Sequence, residues 1–196
     1  MRILAIDPGN EKSALVLYQP DKQLVQLAVD EQNLHILSRA MKYSHDTTPG
    51  ETLLAVEMVA CYGMPVGAEV FDTCVFIGRL LQAWQHESIR VYRKDVKMHL
   101  CGNMRAKDTN VRQALIDRFG PGKETAIGGR RCPVCKGHGN RLLRGQQAPC
   151  EKCARTGWLV PRGPLYGLSG DMWAALAVAI TAAAVHQNGN HTEAAG

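Results

Sequence analysis

Four cysteines stand as Cys132-Pro-Val-Cys135 and Cys150-Glu-Lys-Cys153, two CxxC pairs separated by fourteen residues. Two cysteines three apart can wrap one metal ion through a tight turn, and two such pairs complete a tetrahedral thiolate set. The spacing therefore predicts a structural Zn²⁺ site, closed and with no position left for a substrate. Gly137, Gly139 and Gly157 flank the pairs and suit turns whose amides face thiolate sulfur. Cys61, Cys74 and Cys101 lack a partner at ligand spacing and read as small apolar packing residues. A second set of residues offers oxygen instead of sulfur. Asp7 follows the apolar run Ile3-Leu4-Ala5-Ile6, Glu57 closes TLLAVEM after another such run, and Asp171 opens MWAALAVAITAAAV. Carboxylates at the edge of a core are what a hard cation such as Mg²⁺ takes, and two such cations can drive phosphodiester hydrolysis. A chain with 18 acidic residues offers many such triples, so a turn-forming Asp7 stays open at this point.

The elements that must hold these residues follow from periodicity. Strand-like runs at 2–6, 13–18 and 24–29 predict an antiparallel meander, and the apolar spacing over 34–41 predicts a helix. TLLAVEM is a further strand, 67–84 a long helix and 89–92 a short strand. Helices over 94–100 and 108–119 come next, the second stopped by Gly120-Pro121-Gly122, and an Ala-rich helix spans 171–185. This order predicts an α/β chain with one mixed sheet covered by helices.

The totals narrow the class. The 196 residues, 45% hydrophobic and 21% charged, fit one globular core with a small appendage, and no apolar stretch is long enough for a bilayer. The N-terminus lacks the basic flank and cleavage site of a signal peptide, so a cytoplasmic protein without a membrane partner is expected. Seven cysteines in that compartment argue for metal or packing and against a disulfide framework. The net charge of +5 is concentrated: residues 129–163 hold eight Lys or Arg against the single acid Glu151. Four thiolates with one Zn²⁺ remove about two of those charges, and the remainder suits a polyanion such as DNA. Solvated arginines are the plainer alternative.

The stretches ILAIDPG, LLAVEMV, VYRKDVKMHLCGNMRAKDTNVRQALI and AALAVAIT, in this order, resemble those of the RuvC-type Holliday junction resolvases, in particular the phage-encoded branch. The resemblance implies an RNase H-like mixed five-stranded sheet flanked by helices. On it, residues 1–128 and 163–188 would be the nuclease core, 129–162 an inserted zinc-binding module, and 189–196 a flexible tail. It implies a homodimer, with the helix at 67–84 as the contact, and a Mg²⁺- or Mn²⁺-dependent endonuclease that nicks two strands of a four-way junction.

Asp7, Glu57 and Asp171 match the family's metal-binding acids, and Lys97 matches a lysine close to the scissile phosphate. The chain departs from the pattern at three places. Ala174 stands where a further carboxylate is common, with Asp108 as a substitute ligand or else a helix N-cap. Asp108 also takes the place of a second lysine, a role open to its neighbour Lys107. Ala60 replaces an aromatic wedge, a part left to Tyr62. Arg130, Arg131, Arg141 and Arg144 would let the basic insert grip a junction arm. The alternatives are a broader debranching nuclease acting on forks and flaps, and a non-catalytic zinc-dependent DNA-binding protein. A chaperone-like reading of Cys132 to Gly139 is weaker, because only one cysteine pair carries the CxxCxGxG pattern.

Overall fold

In the computed structural model, which describes residues 1–61, 63, 65–143 and 146–193 with side chains up to 187, the apolar runs become strands buried on both faces. The strands are β1 (Arg2–Pro8), β2 (Lys12–Gln19), β3 (Leu24–Gln32), β4 (Thr52–Met58) and β5 (Ser88–Tyr92), in one sheet of order β3-β2-β1-β4-β5. The β3-β2-β1 half is antiparallel, and β1-β4-β5 is parallel. Continuous runs such as Ile3 to Ile6 need cover on both sides, and helices supply it.

On one face Leu4, Ile6, Leu15, Leu17, Leu54 and Val56 pack against α1 (Asn33–His45) and α2 (Ala68–Ala83) through Ile36, Phe76, Ile77 and Leu80. On the other lies α6 (Met172–Glu193), packed on β1, β2 and β4. Its residues Ala175 to Ile180 are all buried, so α6 is an internal helix whose small side chains let it lie close to the sheet. The helix runs past the expected end at Val185 to Glu193; the polar stretch after it contains no proline, and Gly189 alone costs a helix only about 1 kcal/mol. Residues 194–196 lie outside the described residues. Helices α3 (Arg93–Cys101) and α4 (Asp108–Phe119) follow β5 as expected.

The chain divides into two compact units, Met1–Ala114 with Leu168–Gly196, and Leu115–Gly167. The second takes in more than residues 129–162. It holds a short helix α5 (Lys123–Ala126), a ribbon of β6 (Gly128–Arg131) with β9 (Trp158–Arg162), and a second ribbon of β7 (Asn140–Leu143) with β8 (Gln146–Pro149). Cys61 is exposed and not packed, because it lies in the connection between β4 and α2, outside the core; Cys74 and Cys101 are half-buried. Among the described residues no helix is long and apolar enough to cross a membrane.

Candidate active site

Asp7 is not a turn residue after a strand: β1 continues through it to Pro8, pairing Asp7 with Ala14. The turn beyond is tied down by Ser13 and Asn33. The Gly9 amide donates to Ser13 Oγ at 3.2 Å, and Ser13 donates to Asn33 Oδ1 at 2.6 Å. The Asn33 amide in turn donates to the Gly9 and Asn10 carbonyls, each at 3.0 Å. A Cβ on Gly9 would collide with the Lys12 carbonyl, so the turn that seats Asp7 requires glycine.

In the parallel ladder Ile6 pairs with Val56, which sets the next residues, Asp7 and Glu57, side by side at the carboxyl ends of two central strands. Leu4, Ile6, Leu54 and Val56 point to the α1/α2 core, so alternation turns Asp7 and Glu57 to the face that α6 covers. Asp171 stands immediately before α6, and its carbonyl accepts the Ala175 amide at 3.0 Å. Two contacts brace this approach: Trp173 Nε1 donates to the Leu168 carbonyl at 3.2 Å, and the Arg112 guanidinium lies 4.4 Å from the Trp173 ring centre. Three acids distant in sequence thus share one end of one sheet face.

Burial and mutual repulsion set the charge state of the two strand acids. Burial first, then the negative charges of Glu57 and Asp171, push the Asp7 carboxyl up from 3.8 to about 8. Burial also raises Glu57, against the pull of Arg93 and a hydrogen bond from Asp7. The bond from a protonated Asp7 to Glu57 raises the first carboxyl and lowers the second, and for Glu57 burial outweighs it.

Arg93 is the residue that sequence reasoning missed. It opens α3 directly after β5 and lines a cleft of about 170 Å³ with Asp7, Pro8, Glu57, Met58, Val59 and Ala60. Its Nη1 lies 3.4 and 3.3 Å from the two Glu57 oxygens, and its Nη2 lies 2.8 Å from Asp108 Oδ1. Lys97, one helical turn on, reaches the same Asp108 oxygen at 3.6 Å. Asp108 is therefore not an N-cap: Asn110 Oδ1 takes the Lys107 amide at 3.1 Å, while the Asp108 carboxylate holds the two cations. Burial opposes its ionisation, but Arg93 and Lys97 outweigh it and keep the carboxyl below its usual range. The visible signal for Arg93 was its i, i+4 spacing to Lys97 at a strand-to-helix junction.

In the second unit the four cysteines meet. Cys132 and Cys150 are 3.8 Å apart at sulfur, Cys135 and Cys153 3.6 Å, and all four sulfurs lie within 4.8 Å of one another. A tetrahedron of Zn–S bonds of about 2.3 Å has edges of about 3.8 Å, so the donor set fits Zn²⁺, and these separations are far from the ~2.05 Å of a disulfide. Burial resists ionisation of Cys135, but the Gly137 and Gly139 amides outweigh it and bring the thiol down to about 7. Burial and the neighbouring thiols hold Cys153 up at about 11, despite the Gly157 amide 3.3 Å from its sulfur. Among the described residues this is the one group of three or more Cys, His or acid ligands that close in space; Asp7, Glu57 and Asp171 share a face without closing on a point.

No family profile and no curated protein sequence matches the chain. Solved structures do. RuvC of Thermus thermophilus aligns with a TM-score of 0.57 at 16% identity, over 96% of this chain and 97% of that one. The chain has the RuvC fold. The same Thermus thermophilus protein in complex with a Holliday junction substrate aligns with a TM-score of 0.59 at 15% identity, over 96% of each chain.

Within this RuvC fold Lys97 joins the acidic end of the sheet through Asp108, while Lys107 is exposed at the start of α4. Ala174, half-buried one turn after Asp171, brings no carboxylate. Arg130 and Arg131 are exposed on β6, and Arg141 on β7 reaches Glu151 at 4.0 Å. Tyr62 and Arg144 lie outside the described residues.

Proposed function

We propose that this chain is a divalent-metal-dependent endonuclease that nicks four-way DNA junctions symmetrically as a homodimer. The observation that carries the reading is that Asp7, Glu57 and Asp171 share one end of one sheet face, with the Asp7 and Glu57 carboxyls raised chiefly by burial. The donor set of hard oxygens at a cleft suits Mg²⁺ or Mn²⁺, which when bound would activate a water and neutralise charge on the phosphate and leaving oxygen. Asp7 and Glu57 hold fixed positions because strand register sets them. Asp171 adds its charge from the N-terminus of an internal helix.

Arg93 neutralises Glu57 in the resting site and is aimed by Asp108, a positioning residue. A phosphate entering the cleft meets this guanidinium and the Lys97 ammonium, which offset the charge that develops on the phosphoryl oxygens. Arg93→Ala is expected to slow nicking about 100-fold with junction binding nearly unchanged, and Arg93→Lys to recover only part, because the two-pronged geometry is lost. Single-turnover cleavage beside gel-shift binding measures the split.

For the homodimer, α2 turns Phe71 and Val75, 62% and 64% exposed, to one face with Gly78. Two large apolar groups one turn apart are poor candidates for solvent and good ones for a second copy. Phe71→Asp with Val75→Asp is expected to convert a dimer to a monomer by light scattering and to uncouple the two nicks.

Incubation with a synthetic four-way junction, with and without Mg²⁺ or Mn²⁺, tests the function: paired nicks only with the cation support it. Equal cutting of flaps and forks would favour a broader debranching nuclease. Ala174 leaves the acid set one carboxylate short and favours a second reading, a zinc-dependent DNA-binding protein without catalysis. Tight junction binding with no nick under either cation would establish that instead.

A further inference from the structure

Strand β9 has two different faces. Leu159 packs on the four cysteines, so alternation turns Trp158, Val160 and Arg162 to the opposite face of the ribbon. There the Arg162 guanidinium lies 4.6 Å from the Trp158 ring centre and 4.9 Å from that of Tyr166, and the two rings meet edge-on at 5.9 Å. Arg131, paired with Trp158 across the ribbon, stands 5.7 Å from the same ring. Tyr166 is seated against Gly129, where a Cβ would collide with the ring and where the backbone is left-handed at φ +80°. The result is a ladder of two guanidiniums and two rings built into the ribbon.

Neither arginine has a carboxylate partner among the described residues, and both are exposed. Glu151, the single acid between 129 and 163, sits by Arg141 instead. A free arginine gives up side-chain entropy when it is fixed, and contact with a ring removes part of that loss before any ligand arrives. A cation held over an aromatic ring makes no hydrogen bond there, so the guanidinium N–H groups of both arginines stay available to take two phosphate oxygens at once.

We propose that Arg131 and Arg162, oriented by Trp158 and Tyr166, form a clamp for the phosphodiester backbone of the branched DNA. The proposal rests on the nuclease reading for the identity of the polyanion. It differs from a diffuse basic surface in saying that these two residues outweigh equal charge elsewhere on the module.

The test measures junction affinity against salt in Ca²⁺, to separate binding from cutting, for the full-length protein and three variants. Arg131→Gln with Arg162→Gln is expected to lower affinity about 10-fold or more and to reduce the salt slope by about two, one for each lost phosphate contact. Lys152→Gln with Arg155→Gln removes the same charge from exposed positions within and just after the second cysteine pair and is expected to change both far less. Arg162→Lys keeps the charge and is expected to recover the slope but not the affinity. Zinc content is measured throughout, and should the double variant lose zinc, the two single Gln variants, each lowering the slope by about one, decide the matter.

Equal losses in the two double variants would overturn the clamp in favour of diffuse attraction. Full recovery by Lys would overturn the role of the rings. A wild-type protein that nicks junctions while the clamp variant binds normally removes the clamp and leaves the nuclease. One that binds through the clamp and never nicks removes the nuclease and leaves the clamp.

Discussion

Asp7→Asn is expected to reduce metal-dependent nicking by about 10³-fold or more while leaving junction binding in place, and to raise the stability of the metal-free protein at pH 8. The two effects share one cause. Asp7 is buried beside Glu57 and within the field of Asp171, so its carboxyl titrates near 8 instead of 3.8. A group whose folded value lies above its unfolded one binds its proton more tightly in the folded state. Its contribution is complete below about pH 4 and is lost as pH rises through about 8.

Metal-free wild type should therefore melt progressively lower from pH 4 to pH 8. Asn carries no charge at any of these values, so the variant should lose most of this slope and melt about 5 °C or more above wild type at pH 8. Mg²⁺ or Mn²⁺ should reverse the order, raising the melting temperature of wild type and scarcely that of the variant. Melting curves at three pH values with chelator and with cation check the site without any nuclease assay. A flat profile for metal-free wild type would remove the raised carboxyl and the burial argument behind it.

What could be read in the sequence divides along physical lines. Ile3 to Ile6 and Leu53 to Val56 are apolar without alternation, which only strands covered on both faces tolerate, so the sheet and its two helical layers were legible. Asp7, Glu57 and Asp171 were legible as exceptions at the ends of those runs. Arg93 was not, because an arginine opening an exposed-looking helix is ordinary until strand β5 sets it against Glu57. Asp108 gave a misleading local signal. An acid at a helix start reads as a cap, and only the fold, which brings the first residue of α4 to α3, shows it holding Arg93 and Lys97. Nor did composition reveal the ribbons of the second unit, since Gly128–Arg131 has no strand pattern and pairs with Trp158–Arg162 only once the cysteine turns bring the two together.

Removing zinc, by a strong chelator or by Cys150→Ser, is expected to unfold the stretch from β6 to β9 while the five-stranded sheet stays folded. The apolar core around the cysteines consists of the four thiols and Leu159, and two-stranded ribbons are marginal by themselves. Little else can hold this stretch together, whereas a structural Zn²⁺ contributes on the order of 10 kcal/mol. The sheet keeps its own core of residues such as Leu4, Leu54, Phe76 and Leu80, to which no cysteine ligand belongs.

Limited proteolysis should accordingly cut first within residues 130–162 after zinc removal and leave a resistant fragment containing β1 to β5. Metal analysis should find one zinc per chain in wild type and none in the variant. Binding requires thiolates, so zinc should be lost as pH falls, and Cys153, held near 11 when unmetalled, releases its proton reluctantly. If chelation left the proteolytic pattern unchanged, the module would have to be held by packing, and the four sulfurs within 4.8 Å of one another would need a different explanation.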